Sequence, residues 1–416
     1  IIDESNININ KKEFIENVRK VRGVIIPFGK SIIFTGKPSY VPRDKLNYVQ
    51  STRIENYPIY WASRVYVEVV RGCSNFKRPT LEIKGGKRCI KCPVCFDPRV
   101  PLRARLKCPM GIPAGCGYCS VPEHYGPARS RSIRVIVREV KELVRRGVTK
   151  IVLSAPDFLD YGRDLLVDPE PLTDPCTPKP NLKAIIDLFE NLLAEVPEFD
   201  THDAFLMIEN IKACLVDESV ARVLGRYLKD TPVHIGAESG DDDLLRKLGR
   251  PSLTSDVARA VRLLAENSLE PYVYFIYALP GETEDSAIKT IEFMRKLVEL
   301  GAVKINIYKF MPLPGTAFEN ARTVVKEYDK RLKMEAIRLN TTLKTRLLGR
   351  EVLAIVAGFH KAKSMLVAYP LPHGPNMYLN GSRELIGWIV KAKIVGVESD
   401  RAVYGIVLKL IKKIKP

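Results

Sequence analysis

Seven of the nine cysteines lie between Cys73 and Cys119, and no other feature restricts the folded chain as much. Cys89, Cys92 and Cys95 form a C-x2-C-x2-C run, and Cys108 follows it. Cys116-Gly117-Tyr118-Cys119 comes directly after the flexible stretch 109–115. That is enough soft ligand for two metal centres. Three thiolates hold a [4Fe-4S] cluster with one iron left open, and four close a zinc site or a second cluster. In a reducing compartment such clustered cysteines read as metal ligands and not as disulfides. Cys176 and Cys214 stand apart and read as packing or loop residues.

With 416 residues, 46% of them hydrophobic, the chain can bury a large core, and its length suggests roughly two to three domains. No run approaches the roughly 20 apolar residues that span a bilayer, and no signal peptide precedes the first charged segment. The expectation is a soluble, cytoplasmic protein without a membrane partner. The chain opens at Ile1, so an upstream segment is expected to be missing. A formal charge of +18 calls for a polyanionic partner, because Lys and Arg gain affinity by releasing phosphate counterions. A lysine-rich surface that serves only solubility is the alternative. The basic residues concentrate beside the cysteines (Arg99, Arg103, Arg105, Lys107) and near the C-terminus (Lys409, Lys412, Lys413).

Residues 1–64 read as a lead-in with one charged helix at 11–21. From 65 to 325, short apolar runs at 65–70, 150–153, 204–208, 233–237, 272–278 and 304–310 alternate with amphipathic stretches, the pattern of strand-helix units around a parallel sheet or barrel. Over 132–146 a 3.6-residue period puts Ile136, Val137, Val140 and Val144 inward and Arg134, Arg138 and Lys141 outward. The fold class is therefore α/β, a partial six-stranded barrel with a cysteine-rich insertion at 74–115. A linker helix at 326–348 leads to β-rich runs and turn signals over 349–416, a small β-barrel.

In parallel α/β barrels chemistry sits at the C-terminal ends of the strands. Here those ends carry the cysteines, Ser154-Ala155-Pro156, Gly236-Ala237-Glu238-Ser239-Gly240, Pro280-Gly281-Glu282-Thr283 and Pro314-Gly315-Thr316. Singly, each is an ordinary turn signal. In this order, together with Cys116-Gly117-Tyr118-Cys119-Ser120-Val121-Pro122, Gly126-Pro127-Ala128-Arg129-Ser130-Arg131 and Leu248-Gly249-Arg250, the chain resembles the radical S-adenosylmethionine (SAM) superfamily over about 65–320, most closely its methylthiotransferase branch. The terminal β-rich segment resembles a TRAM domain, the small RNA-binding barrel often fused to that branch.

The resemblance implies a [4Fe-4S] cluster on three cysteines, SAM on its open iron, and a 5'-deoxyadenosyl radical that abstracts hydrogen, with an electron donor as partner. It implies Tyr118 beside the adenine, Ser154 at the methionine amino group, Glu238 and Ser239 at the ribose or methionine end, Arg250 at the carboxylate, and the backbone around Ala278 and Met311 at the adenine edge. The common C-x3-C-x2-C spacing is absent. Many members of the family carry Arg-Gly-Cys after the first strand, as Arg71-Gly72-Cys73 stands here, so the resemblance implies Cys73, Cys116 and Cys119 as the cluster set, with Cys108 the alternative to Cys73. Cys89, Cys92, Cys95 and Cys108 then form a second iron-sulfur cluster or a zinc site. His124 is a proton donor or a base contact, or else a packing residue.

The function implied is modification of RNA, tRNA first, by methylthiolation or methylation of a base. Lys361, Lys363, Trp388, Lys391 and Lys393 of the terminal barrel would hold the RNA by stacking and phosphate contacts. If four thiolates close the second site, no iron there is open to hold sulfur and methyl transfer fits better, with cobalamin a possible further cofactor from an upstream domain. Two alternatives remain: the same chemistry on a protein or small molecule, and a zinc-stapled RNA-binding module without catalysis.

Overall fold

The computed structural model describes residues 11–21, 23–28, 31–36, 40–48, 52–83 and 87–414. Residues 1–10 of the lead-in lie outside them; its helix forms over Lys11–Arg19. The expected strands form at Arg64–Glu68, Lys150–Ser154, Phe205–Ile208, Pro232–Glu238, Glu270–Tyr277 and Lys304–Lys309. Neighbours pair in parallel, in chain order. The third strand breaks at Glu209 and resumes as Asn210–Ile211, so one half pairs with the second strand and the other with the fourth. The first and last strands do not pair, which leaves the barrel open along one side.

Helices cover the outside. Ile133–Arg145 buries Ile136, Val137, Val140, Leu143 and Val144 and keeps Arg134 and Arg138 in water, as its period requires. Each fully buried Val, Ile or Leu contributes about 1.5–3 kcal/mol, so a lysine at Ile136 would undo this helix's docking. Asn181, Asp217 and Thr283 cap three of the helices by accepting backbone N–H bonds from Ala184, Val220 and Ser286. The helices and the outward, helix-facing sides of the strands share one hydrophobic core.

After the helix Glu327–Thr345, five strands (Glu351–His360, Met365–Pro370, Asn376–Leu379, Trp388–Val397, Ala402–Lys413) close into a barrel. Alternate residues of Met365–Pro370 point into its core with Val356, Met377, Val390 and Val403. This barrel packs against the N-terminal ends of the core strands. Ile355 and Ala357 meet Trp61 and Ala62, Lys150 donates to the Pro370 carbonyl at 3.3 Å, and Lys412 pairs with Asp203 at 2.9 Å. Among the described residues no helix is long and apolar enough to cross a membrane.

Candidate active site

The C-terminal strand ends enclose a cavity of about 440 Å³ whose wall includes Cys73, Cys116 and Cys119. Gly72, which places Cys73, has φ +86°, and a Cβ there would sit 2.3 Å from the Pro127 carbonyl oxygen. At Gly117 a Cβ would fall 2.2 Å from the Phe318 ring, so the Cys116–Cys119 turn closes on that ring only with glycine. Cys119 N–H donates to the Cys116 carbonyl at 2.8 Å, which tightens the turn.

Polar groups converge on the sulfurs. Asn75 Nδ2 donates to Cys116 Sγ at 3.3 Å and to the Gly249 carbonyl at 3.0 Å. Arg250 reaches the same sulfur at 3.7 Å, pairs with Glu238 at 3.4 Å and donates to the Gly236 carbonyl. Burial raises the Glu238 carboxyl above its ordinary range, with Arg250 opposing. Arg250 Nε and the Tyr118 hydroxyl are buried without a hydrogen-bond partner among the described residues. Burial also pushes the Cys73 thiol up to about 11 and the Cys119 thiol up to about 12. Lys212, beside Cys73 in the same lining, bonds Asp157 at 2.6 Å, Asp160 at 2.9 Å and Ser74 Oγ at 2.9 Å, which ties the residue after Cys73 to the ends of two strands.

Met311 lines this cavity with Tyr118, Glu238 and Arg250. Ser154 sits outside the lining and donates to Glu209 at 2.7 Å. Ser239 is buried toward the helix Glu284–Glu299, 3.2 Å from Thr290 Oγ1. Ala278 also lies outside the lining, its N–H donating to Asp329 at 3.2 Å. His124 contacts the Pro314 carbonyl at 3.3 Å. Asn75 and Lys212 escaped the sequence reading because neither belongs to a motif; each follows a strand end or a cysteine by one or two residues.

Cys108 lies elsewhere. Cys108 and Cys89 both pack against the apolar cluster that contains Ile112, Leu279 and Phe318, and both sulfurs are near enough to act on the Cys95 thiol. Buried Arg78 donates to Cys95 Sγ at 3.0 Å and to the carbonyls of Phe76, Ile112 and Arg105. Cys92 starts the short turn Pro93–Cys95. Cys176 and Cys214, expected as unpaired packing residues, instead form a disulfide with Cα atoms 6.0 Å apart. Folding brings them together across 38 residues, a proximity that spacing alone does not reveal.

The donor set fits the centre that the resemblance implied. Among the described residues no three Cys, His, Asp or Glu side chains converge as around a single ion. Thiolates of a four-iron cluster stand wider apart, because each meets a different iron. Three thiols share one cavity wall, N–H donors aim at one of them, and two buried polar atoms lack partners. The Radical SAM superfamily model matches residues 107–294, a span that contains Cys116 and Cys119 and begins after Cys73. The chain belongs to the radical SAM superfamily.

This radical SAM enzyme is 40% identical over 97% of its length to an uncharacterized protein of Methanopyrus kandleri, of which it covers 75%. It is 25% identical over 64% of its length to the threonylcarbamoyladenosine tRNA methylthiotransferase of Thermotoga maritima, covering 58% of that protein. The chain thus spans between about half and three quarters of these relatives. Among solved structures, the radical SAM methyltransferase TsrM of Kitasatospora setae aligns with 69% of this chain and 45% of its own at 14% identity and a TM-score of 0.45. The closed five-stranded C-terminal barrel fits a TRAM-like domain.

Proposed function

We propose that this radical SAM enzyme modifies RNA, tRNA first, by placing a methyl or methylthio group on a base. The observation that carries this reading is the presence in one chain of the three-thiol cavity and a closed five-stranded barrel with basic outer positions. Cys73, Cys116 and Cys119 would hold the cluster, and Cys89, Cys92, Cys95 and Cys108 a second cluster or zinc. With SAM bound, the cluster supplies one-electron cleavage of a sulfonium carbon–sulfur bond and hydrogen abstraction. The chain's own groups do the rest. Asn75 and Arg250 donate to the Cys116 sulfur, Arg250 Nε offers a free donor for a carboxylate or hydroxyl, and Glu238 holds Arg250 in place.

The residues that this reading assigns to RNA differ in pairing and burial. Lys363 pairs with Glu398 at 2.7 Å and Lys391 with Glu351 at 2.5 Å, whereas Lys361 and Lys393 are exposed and have no carboxylate within ion-pair distance among the described residues, Glu351 acting on Lys393 from across the strand pair. Trp388 is half-buried against the barrel core. The barrel sits at the end opposite the cysteines, so RNA would run along the open side of the core. That is about six strand residues at about 3.3 Å each, or roughly six base steps at about 3.4 Å.

The test is anaerobic incubation of reconstituted protein with reductant, methyl-labelled SAM and unmodified tRNA, followed by nucleoside mass spectrometry. Label in a nucleoside is the expected result. SAM cleavage with label only in protein or small molecules would transfer the reading to those substrates, and no SAM cleavage with intact zinc would leave an RNA-binding module. Iron and zinc content separates the two transfers. About eight irons keeps methylthiolation, and about four irons with one zinc favours methyl transfer.

A further inference from the structure

The core barrel has a second cavity, about 420 Å³, at its N-terminal end, where the C-terminal barrel covers it with Tyr369, Pro370 and His373. Barrel interiors of this type are normally filled by branched apolar side chains. Here one cross-strand row is His234–Tyr272–Lys304, the next is Gly236–Tyr274–Asn306, and Arg64 pairs in register with Lys150 on the first two strands.

The cations of this cavity lack counter-ions. Lys150 is 4% exposed, and its ammonium finds only the Pro370 carbonyl and the Tyr369 ring. Lys304 lies over the Tyr272 ring at 5.4 Å. Among the described residues neither Lys150, Lys304 nor Arg64 has a carboxylate within ion-pair distance. The acids nearby are Glu270, which is bound to His373 at 3.0 Å, and Asp400, which acts on Lys304 at longer range. Burial and then Arg64 lower the Lys150 ammonium to about 7 and depress Lys304. Among the described residues, His234 Nε2 and Asn306 Nδ2 are buried with no hydrogen-bond partner. The Tyr274 hydroxyl is 3.5 Å from His234 Nδ1; when it donates there, Nε2 carries the hydrogen and becomes a further donor.

Burying unpaired positive charge costs several kcal/mol per ion unless an anion compensates. Three cations and two unused N–H donors around one cavity match a compact anion with several acceptor oxygens, and the volume lies in the range of small-ligand sites. We propose that this cavity is a binding site for a phosphate dianion, either free or as the phosphoryl group of a small phosphomonoester. The site is separate from the three-thiol cavity, though Tyr274 and Tyr308 line both.

The test is titration calorimetry of the full reconstituted chain with inorganic phosphate in chloride buffer concentrated enough to screen surface lysines, followed by competition with adenosine 5'-monophosphate. Saturable phosphate binding is expected, at least tenfold weaker in Lys150→Met and in Lys304→Met. A second readout covers loss of folding. Lys150→Met removes an uncompensated charge, so its melting temperature without phosphate should equal or exceed that of the parent, while phosphate should raise only the parent's. Tighter competition by the monophosphate assigns the site to a phosphomonoester, and no competition assigns it to free phosphate. No saturable binding, or binding unchanged in both variants, overturns the proposal.

Discussion

Glu282 and Asp329 form a buried carboxyl pair at the end of the strand Glu270–Tyr277, and Glu282→Gln tests the electrostatics of that strand end. Ala278 there has φ 59°, a left-handed conformation that costs a non-glycine residue roughly 1–2 kcal/mol. The pair holds it in place: Asp329 accepts from Ala278 N–H and Glu282 from Leu279 N–H, both at 3.2 Å. Burial, and then the neighbouring Asp329 charge, push the Glu282 carboxyl from 4.5 up to about 8. Between those values the folded chain keeps a proton that the unfolded chain has released. Stability should therefore fall as pH rises from about 5 to 8 and level off above, by on the order of 4 kcal/mol at about 1.4 kcal/mol per tenfold change in proton activity. Lys150 and Lys344, lowered to about 7 and about 8, work in the opposite direction at higher pH, because the unfolded chain binds their protons more tightly. The difference between parent and Glu282→Gln removes their contribution. Urea unfolding at several pH values from 5 to 9 should show the parent losing ground to the variant across the window. A difference that stays constant from pH 5 to 9 would refute a retained proton at Glu282.

Cys73→Ala should abolish SAM cleavage and lower the iron content by about one four-iron cluster, whereas Cys108→Ala should leave SAM cleavage in place and disturb only the second centre; the reverse pattern would assign Cys108 to the SAM cluster. Lys361→Glu with Lys393→Glu should weaken RNA binding and reduce the slope of log affinity against log salt by about 1.4–1.8, two contacts at about 0.7–0.9 each; an unchanged slope would take these lysines out of the interface. Lys212→Met strands the buried Asp157 and Asp160 carboxylates beside Arg163, and should cost roughly 3–5 kcal/mol in urea unfolding. A loss below about 1 kcal/mol would mean that Arg163 alone compensates both acids.

What was legible in the sequence was local. The six core strands and the helix Ile133–Arg145 lie where apolar runs and a 3.6-residue period placed them, because each buries a face that its own spacing defines. The third strand of the terminal barrel, Asn376–Leu379, was not legible. It is short, follows the Pro- and Gly-bearing stretch 370–375, and is held by pairing with Met365–Pro370 and Ala402–Lys413. The disulfide, the link from Asn75 to Cys116 and the ion pairs of Lys212 depend on contacts between residues far apart in the chain, and no periodicity encodes those. For Ser154 and Ser239 the motif gave a strand end but not a side-chain direction. One hydroxyl is taken by Glu209 and the other faces Thr290.

The placement of the C-terminal barrel alters what that barrel has to do. Beside the cysteine loop it could have gripped RNA next to the reacting base. It stands at the opposite end, where its Pro370 carbonyl and His373 close the basic lower cavity and its outer lysines face solvent. If the substrate is RNA as proposed, base and backbone contacts would be separated by the height of the core, and the thiol cavity would have to select the base with its own wall. The wall is suited to that: Tyr274, Tyr308 and Phe310 offer aromatic surface, and Lys309 offers charge. Affinity for RNA would then reside mainly in the barrel and choice of base mainly in the cavity, so changes at Lys361 and Lys393 should affect binding to all RNAs alike while changes at Tyr308 should alter which nucleoside is modified.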